Sequence, residues 1–336
     1  MFEKRNLFDT SNVENADFQN YKHTGFITEE YKFERIIYVI LFLIYNVVFI
    51  TSLVLFYQIR NSAIVRERGF GLTFFGGIIT FINAFLGFIP QMMAIACPFS
   101  MYNANILNVM VNVIFFCRSL RLVLLYYNDG FKAENVTDSK LSISLNKGSD
   151  SNNYLQNLHR KVNRIIYLII GITTVISFVS SIVLHAKYYD KCRFDVIRDA
   201  MLDLKLNNGK ELFYPVRIFS ILYTILSIIM AVFLTFVKDA NKYGAKFEML
   251  STSIILFISG GFNAVLQKYA TGGEFEYNGD FHRKVFLNLF EITKGGKILF
   301  TFVAIYMLSV SITLPVVQYF KAKKNNEKIN ASYAEL

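Results

Sequence analysis

The sequence predicts an all-α membrane protein, a seven-transmembrane helix bundle. Seven stretches of roughly twenty or more mostly apolar residues run through its 336 residues, and little of any size lies outside them. Hydrophobic residues make up 54% of the chain, with a mean hydropathy of +0.37. A hydrocarbon core about 30 Å thick takes about twenty helical residues to cross at 1.5 Å each. A soluble helical core would need amphipathic stripes instead, and the first stretch carries no charge on any face.

The elements follow in chain order. Residues 1–35 are polar, with seven acidic and five basic side chains, and form a short N-terminal segment without a cleavable signal. Crossing 1 (36–59) must then direct insertion itself. Crossing 2 (70–93) carries the Gly76-Gly77 pair, which permits close helix approach, as does Gly260-Gly261 on crossing 6. Crossing 3 (105–127) holds Asn105, Asn108 and Asn112 at i, i+3 and i+7, on one helical face, and near its end Arg118 and Arg121. Residues 128–164 form the longest loop. Its middle is too polar to fold alone, while 154–164 is basic and apolar at helical spacing and extends crossing 4 (165–189) along the membrane surface. Within 190–215, Val196, Ile197, Ala200, Met201 and Leu204 share one face of a short amphipathic lid. Crossings 5 (216–237), 6 (249–269) and 7 (297–320) complete a single domain over 36–320. Glu291 and Lys294, just before crossing 7, are spaced to pair with each other. Residues 321–336 form a basic cytoplasmic tail.

A net charge of +10 raises the possibility of nucleic acid, but the bases sit beside helix ends, where they meet lipid headgroups; no nucleic-acid partner is expected. With the N-terminus outside, the inner segments hold sixteen Lys and Arg against twelve in the outer ones. The short loops decide: 60–69 carries Arg60, Arg66 and Arg68, whereas 97–104 carries no base. The sequons at Asn135 and Asn330 then fall inside and are expected to be unused.

Three cysteines are present. Cys97 and Cys192 both face the oxidising side in this topology, and a bridge between them would pin the 190–215 loop over the bundle mouth. The alternative is two unrelated thiols. Cys117 reads as a packing residue.

Amides in hydrocarbon need partners, so Asn46, Asn83, Asn105, Asn108, Asn112 and Asn263 are expected to point into the bundle. Interhelical hydrogen bonding is one role for them. The other is a polar ligand cavity under the lid, lined by Asn105, Asn108, Asn112 and Asn263. Arg118 and Arg121 must meet a partner or reach inward to a cytosolic crevice.

Other functions fare less well. Coupled transport wants intramembrane acids, and crossings 1 to 6 contain none; a transporter or channel is the alternative reading. A metal hydrolase needs converging ligands, yet His185 is the one histidine inside a crossing. No enzyme activity, metal or other cofactor is expected.

Several segments carry a family resemblance. Arg60-Asn-Ser-Ala-Ile-Val-Arg66 is similar to the R-N-T-P-I-V-K first inner loop of class C (family 3) G-protein-coupled receptors. Arg118-Ser-Leu-Arg121-Leu122 is similar to the K-T-x-R-I that closes that family's third helix, and Ala245-Lys246-Phe247 to the end of its N-E-A-K-F. Cys97 and Cys192 fit its bridge between helix 3 and the second outer loop. Pro315 and Tyr319 loosely resemble its P-K-x-Y, with one residue extra. Over about 36–320 the chain therefore resembles a class C receptor of the fungal and protist kind.

The resemblance implies a multi-pass protein of the plasma membrane, which senses a small-molecule or peptide ligand and couples to a heterotrimeric G protein. Arg60, Arg66, Arg118, Arg121, Lys246 and Glu248 would form the coupling face. A second copy of the chain in a homodimer is the further partner it implies, beside the membrane lipids expected from the bases at helix ends. The departures are specific. Gly244 replaces the family's acid, leaving Glu248 to substitute as partner of Arg118 or Arg121. Trp is absent, and with it the helix 6 switch. With thirty-five residues before crossing 1 and about sixteen after crossing 7, neither the large ligand-binding module nor a regulatory domain is expected.

Overall fold

The structure, a computed structural model, describes residues 32–92, 96–138, 148–192, 210–237, 244–271 and 297–334. It is an all-α bundle of seven helices long and apolar enough to cross a membrane, and among the described residues there is no strand. The chain is a multi-pass membrane protein.

The helices are α1 (Lys32–Gln58), α2 (Phe70–Met92), α3 (the consecutive segments Cys97–Tyr102, Asn103–Asn108 and Val109–Asp138), α4 (Gly148–Lys187), α5 (Tyr214–Phe236), α6 (Ala245–Thr271) and α7 (Lys297–Leu308, Ser309–Thr313 and Leu314–Ala334). α3 occupies the centre, packed against α2, α4, α5 and α6. Its spanning window and that of α7 are 50% buried, against 22% for α1 and α5, so the last two mostly face lipid. That is why α1 is apolar all round: Leu43 and Val47 point out of the bundle while Tyr45 and Phe49 point in.

Three helices run past their expected ends. α3 starts at Cys97, eight residues before the expected start of crossing 3, and continues to Asp138. α4 is 40 residues, about 60 Å at 1.5 Å per residue. The loop over 128–164 is thus largely helix, because its apolar flanks propagate helix outward from the bilayer; its middle, 139–147, lies outside the described residues. The 321–336 tail is likewise helical up to Ala334. The lid over 195–206 and the Glu291–Lys294 pair lie outside the described residues.

Glycines set close helix approaches in the core. A Cβ at Gly76 would stand 2.8 Å from Ile114 of α3, and one at Gly77 2.8 Å from Ile312 of α7. At Gly260 it would meet Thr224 Oγ1 of α5 at 2.6 Å, but at Gly261 it would meet nothing within 4 Å, so only the first of that pair serves packing.

Two turns of wider, π-helical geometry interrupt α3 (Asn103–Asn108) and α7 (Ser309–Thr313). The second has a covalent cause. Pro315 offers no N–H to the carbonyl of Ser311 and its ring crowds that oxygen, so the preceding turn opens. Such turns often accompany functional positions.

Candidate functional site

At the end of the bundle formed by the 60–69 loop, a buried charge network joins four parts of the chain. Glu248 is in the first turn of α6, where an acid complements the helix dipole. It is fully buried. Its Oε2 accepts from Arg68 Nε at 3.1 Å, and its Oε1 accepts from Arg118 Nη2. Arg68 also donates from Nη1 to the Ile64 carbonyl at 2.8 Å and from Nη2 to Gln318 Oε1 of α7 at 3.4 Å. Arg118 donates from Nη1 to Ser311 Oγ at 3.0 Å, and its guanidinium lies 5.4 Å from the centre of the Phe115 ring.

The local sequence explains each position. A one-turn helix, Ala63–Glu67, is followed by Gly69 at φ 71°, and this left-handed residue reverses the chain into α2. Arg68 is thereby turned inward, and its carbonyl accepts from Thr73 Oγ1 at 2.9 Å. Ser311 lies inside the π turn of α7, which brings its hydroxyl to Arg118. Two buried guanidinium groups share one buried carboxylate, an arrangement whose breakage by loss of one partner costs about 3–5 kcal/mol.

The residues expected at a coupling face therefore divide. Arg60 and Arg66 are exposed. Arg118 and Glu248 do not open onto a crevice: Arg118 is 6% exposed and Glu248 0%, because burial requires these charges to be paired with each other. Of the two partners considered for Glu248, Arg118 is the one it meets. Arg121 turns to α4 instead, donating from Nε to Asn163 Oδ1 at 3.1 Å, and its guanidinium passes over Gly69. Lys246 donates to the carbonyls of Thr235 at 3.0 Å and Val237 at 2.5 Å, capping the end of α5.

The opposite end of the bundle is held by a disulfide between Cys97 and Cys192, with Cα atoms 5.3 Å apart and a sequence separation of 95. His185 supports it. Its Nε2 lies 2.9 Å from the Cys192 carbonyl, which can only accept, so Nε2 donates; Nδ1 and Tyr102 Oη form a hydrogen bond, also at 2.9 Å. This histidine has a structural role beside the bridge, and no group of three or more His, Cys, Asp or Glu suited to a metal occurs among the described residues.

Just inside lies Asn105, fully buried in the π turn of α3. Its Nδ2 donates to the Leu212 carbonyl at 2.7 Å, its Oδ1 accepts from the Val216 amide at 3.3 Å, and its carbonyl accepts from Ser177 Oγ of α4. Asn105 thus spends its hydrogen bonds joining α3, α4 and the entry to α5. Asn108 is half-buried and Asn112 buried on the same helix. Asn263 is in α6, with its side chain outside the described residues. Asn83 is buried on α2, and Asn46, half-buried, donates from Nδ2 to the Phe42 carbonyl of its own helix at 2.7 Å.

Sequence reasoning missed Arg68, Ser311 and Gln318. The signal for Arg68 was its place directly before a glycine at a helix start; its direction depends on the φ of Gly69. Ser311 and Gln318 carried no signal. Comparisons of the chain with family models, curated proteins and solved structures return no match.

Proposed function

We propose that the chain is a receptor-like protein of the plasma membrane, one that passes an extracellular signal to a heterotrimeric G protein. The observation that carries this reading is the Glu248 carboxylate, which ties the 60–69 loop, α3 and α7 to the start of α6 through Arg68 and Arg118. Swinging α6 away requires these contacts to part, so the network separates two helix arrangements that a ligand and a G protein can bias. The motif resemblance adds to this, since the network's Arg118 and Glu248 fall at or beside the motifs resembling class C receptors. The bridged end, with Cys97 and Cys192, is the outer end in this reading, because disulfides persist on the oxidising side.

Of the six residues of the expected coupling face, Arg60 and Arg66 are the exposed ones that a G protein would meet first. Arg118 becomes available only when Glu248 releases it. The test is guanine-nucleotide exchange on a panel of purified G proteins by the full chain in vesicles, with the Glu248→Gln variant beside it. Receptor function predicts measurable exchange, raised in Glu248→Gln because a neutral amide holds the arginines less tightly. Absence of exchange with every G protein, in both forms, would overturn the proposal.

A further inference from the structure

Three helices converge on one basic side of the bundle, at the end that holds the charge network. Arg121 of α3 lies across the start of α2. A Cβ at Gly69 would stand 2.5 Å from its Nη1, and one at Gly71 would stand 3.8 Å from the hydroxyl of Tyr167 on α4. Nε of Arg121 donates to Asn163 Oδ1 at 3.1 Å, but among the described residues its Nη1 and Nη2 have no acceptor. The Tyr167 hydroxyl has no hydrogen-bond partner among them either. The amides that open α2 carry the positive end of its dipole, so they offer a cation nothing.

α4 adds to the imbalance. Arg160 and Arg164 stand one turn apart on the face that also carries Asn163 and Tyr167. Both arginines are exposed, and neither forms an ion pair among the described residues. Glu248 gives its two oxygens to Arg68 and Arg118, so it leaves Arg121 uncompensated. Three arginines therefore share this side of the bundle without a counter-charge.

We infer that this side binds a phospholipid with a phosphorylated headgroup, its inner phosphate accepting from Arg121 and Tyr167 and its outer phosphate meeting Arg160 and Arg164. Guanidinium forks take phosphate oxygens in pairs, and the tyrosine hydroxyl adds a single donor. Charge selects the headgroup. A phosphodiester balances one arginine, while a terminal phosphate carries about 1.5 to 2 negative charges at pH 7 and balances the other two. Depth selects a lipid over an acidic segment of a soluble protein. Arg121 lies five residues inside the end of the apolar span Cys97–Tyr126, and the span of α4 begins at Arg160. Tyr167 stands among Ile165, Leu168 and Ile172, each more than half exposed on the lipid-facing side. A lipid reaches this boundary from the side, with its phosphate at the arginines and its chains along the apolar residues. The inference needs only the bundle, and stands or falls apart from G-protein coupling.

The test places the full chain in phosphatidylcholine nanodiscs containing increasing phosphatidylinositol 4-phosphate, and reads the rise in melting temperature against lipid fraction. Phosphatidylserine at equal total charge is the comparison, and should saturate the response only at a much higher fraction. Arg160→Gln with Arg164→Gln should raise the half-saturating fraction about thirtyfold, at about 1 kcal/mol for each arginine. Both side chains are exposed, so this variant keeps the fold whatever becomes of Arg121→Gln, for which about a fivefold rise is expected. Lys321→Gln with Lys324→Gln removes the same charge from exposed positions of α7, and should change the fraction by less than about threefold. Equal losses in the two double variants would reduce the effect to general attraction by a basic surface and overturn the inference. An equal response to phosphatidylserine would do the same. Displacement by soluble inositol 1,4-bisphosphate as effective as by the lipid would give the site to a free phosphate ester instead. Nucleotide exchange lowered in Arg121→Gln, with the lipid response unchanged, would assign that arginine to the G protein and also overturn the inference.

Discussion

Arg68 and Glu248, 180 residues apart in the chain, meet at 3.1 Å in an interior where their side chains are 2% and 0% exposed. Arg118 reaches the other oxygen of the same carboxylate. One acidic side chain at the start of α6 therefore organises the arginine-rich end of the bundle.

Glu248→Ala would leave both guanidinium groups without their carboxylate. A loss of about 3–5 kcal/mol follows for a buried pair deprived of one member, read as a marked fall in melting temperature in detergent. The triple variant Arg68→Met, Arg118→Met, Glu248→Leu should recover much of that loss, because no buried charge remains. A melting temperature for Glu248→Ala equal to that of the native chain would show that the network contributes nothing to the bundle.

Gly69→Ala meets two obstacles. At φ 71° an L-residue pays about 1–2 kcal/mol, and its Cβ would stand 2.5 Å from Arg121 Nη1. Truncating Arg121 in the same chain should remove the steric part and leave the backbone part. Equal destabilisation with and without Arg121 would assign the whole effect to φ.

The glycine pair in α6 offers an internal control. Gly260→Ala forces Thr224 Oγ1 aside from 2.6 Å, whereas Gly261→Ala enters open space. Gly261→Ala should be neutral or stabilising by up to about 1 kcal/mol through helix propensity. Gly260→Ala should be the worse of the two in thermal melts, and the reverse order would contradict the close packing of α5 on α6.

The Cys97–Cys192 bridge encloses a long loop, with 95 residues of separation. Its removal should cost about 2–5 kcal/mol. Cys97→Ser with Cys192→Ser should lower the melting temperature, and reducing agent should bring the native chain to the same value. His185→Ala, with the bridge intact, should lower it by less, since Cys192 stays tethered while its carbonyl loses a donor.

Much of this architecture is legible along the chain. Each crossing is a run of apolar residues, and a bilayer reads such a run locally, so seven spans follow from composition alone. The pairing of Arg118 with Glu248 was within reach through the family resemblance, which expects an acid at the entry to the sixth helix to meet the third; the residues alone said only that a buried arginine needs a partner. Helix ends were less legible. α3 and α4 extend well past the bilayer because a formed helix propagates into polar sequence that would not nucleate one.

What lay beyond reading were the contacts that depend on direction. Whether Arg68 turns inward is decided by one glycine dihedral, and whether Ser311 meets Arg118 by a turn widened ahead of Pro315. Asn105 illustrates the same division: its need for partners follows from its chemistry in hydrocarbon, but the choice of Leu212, Val216 and Ser177 arises only when α3, α4 and α5 are packed. Transfer from water to lipid acts on each segment alone and leaves its mark in the order of residues. The match between distant polar groups is a property of the assembled bundle, and only the three-dimensional arrangement selects it.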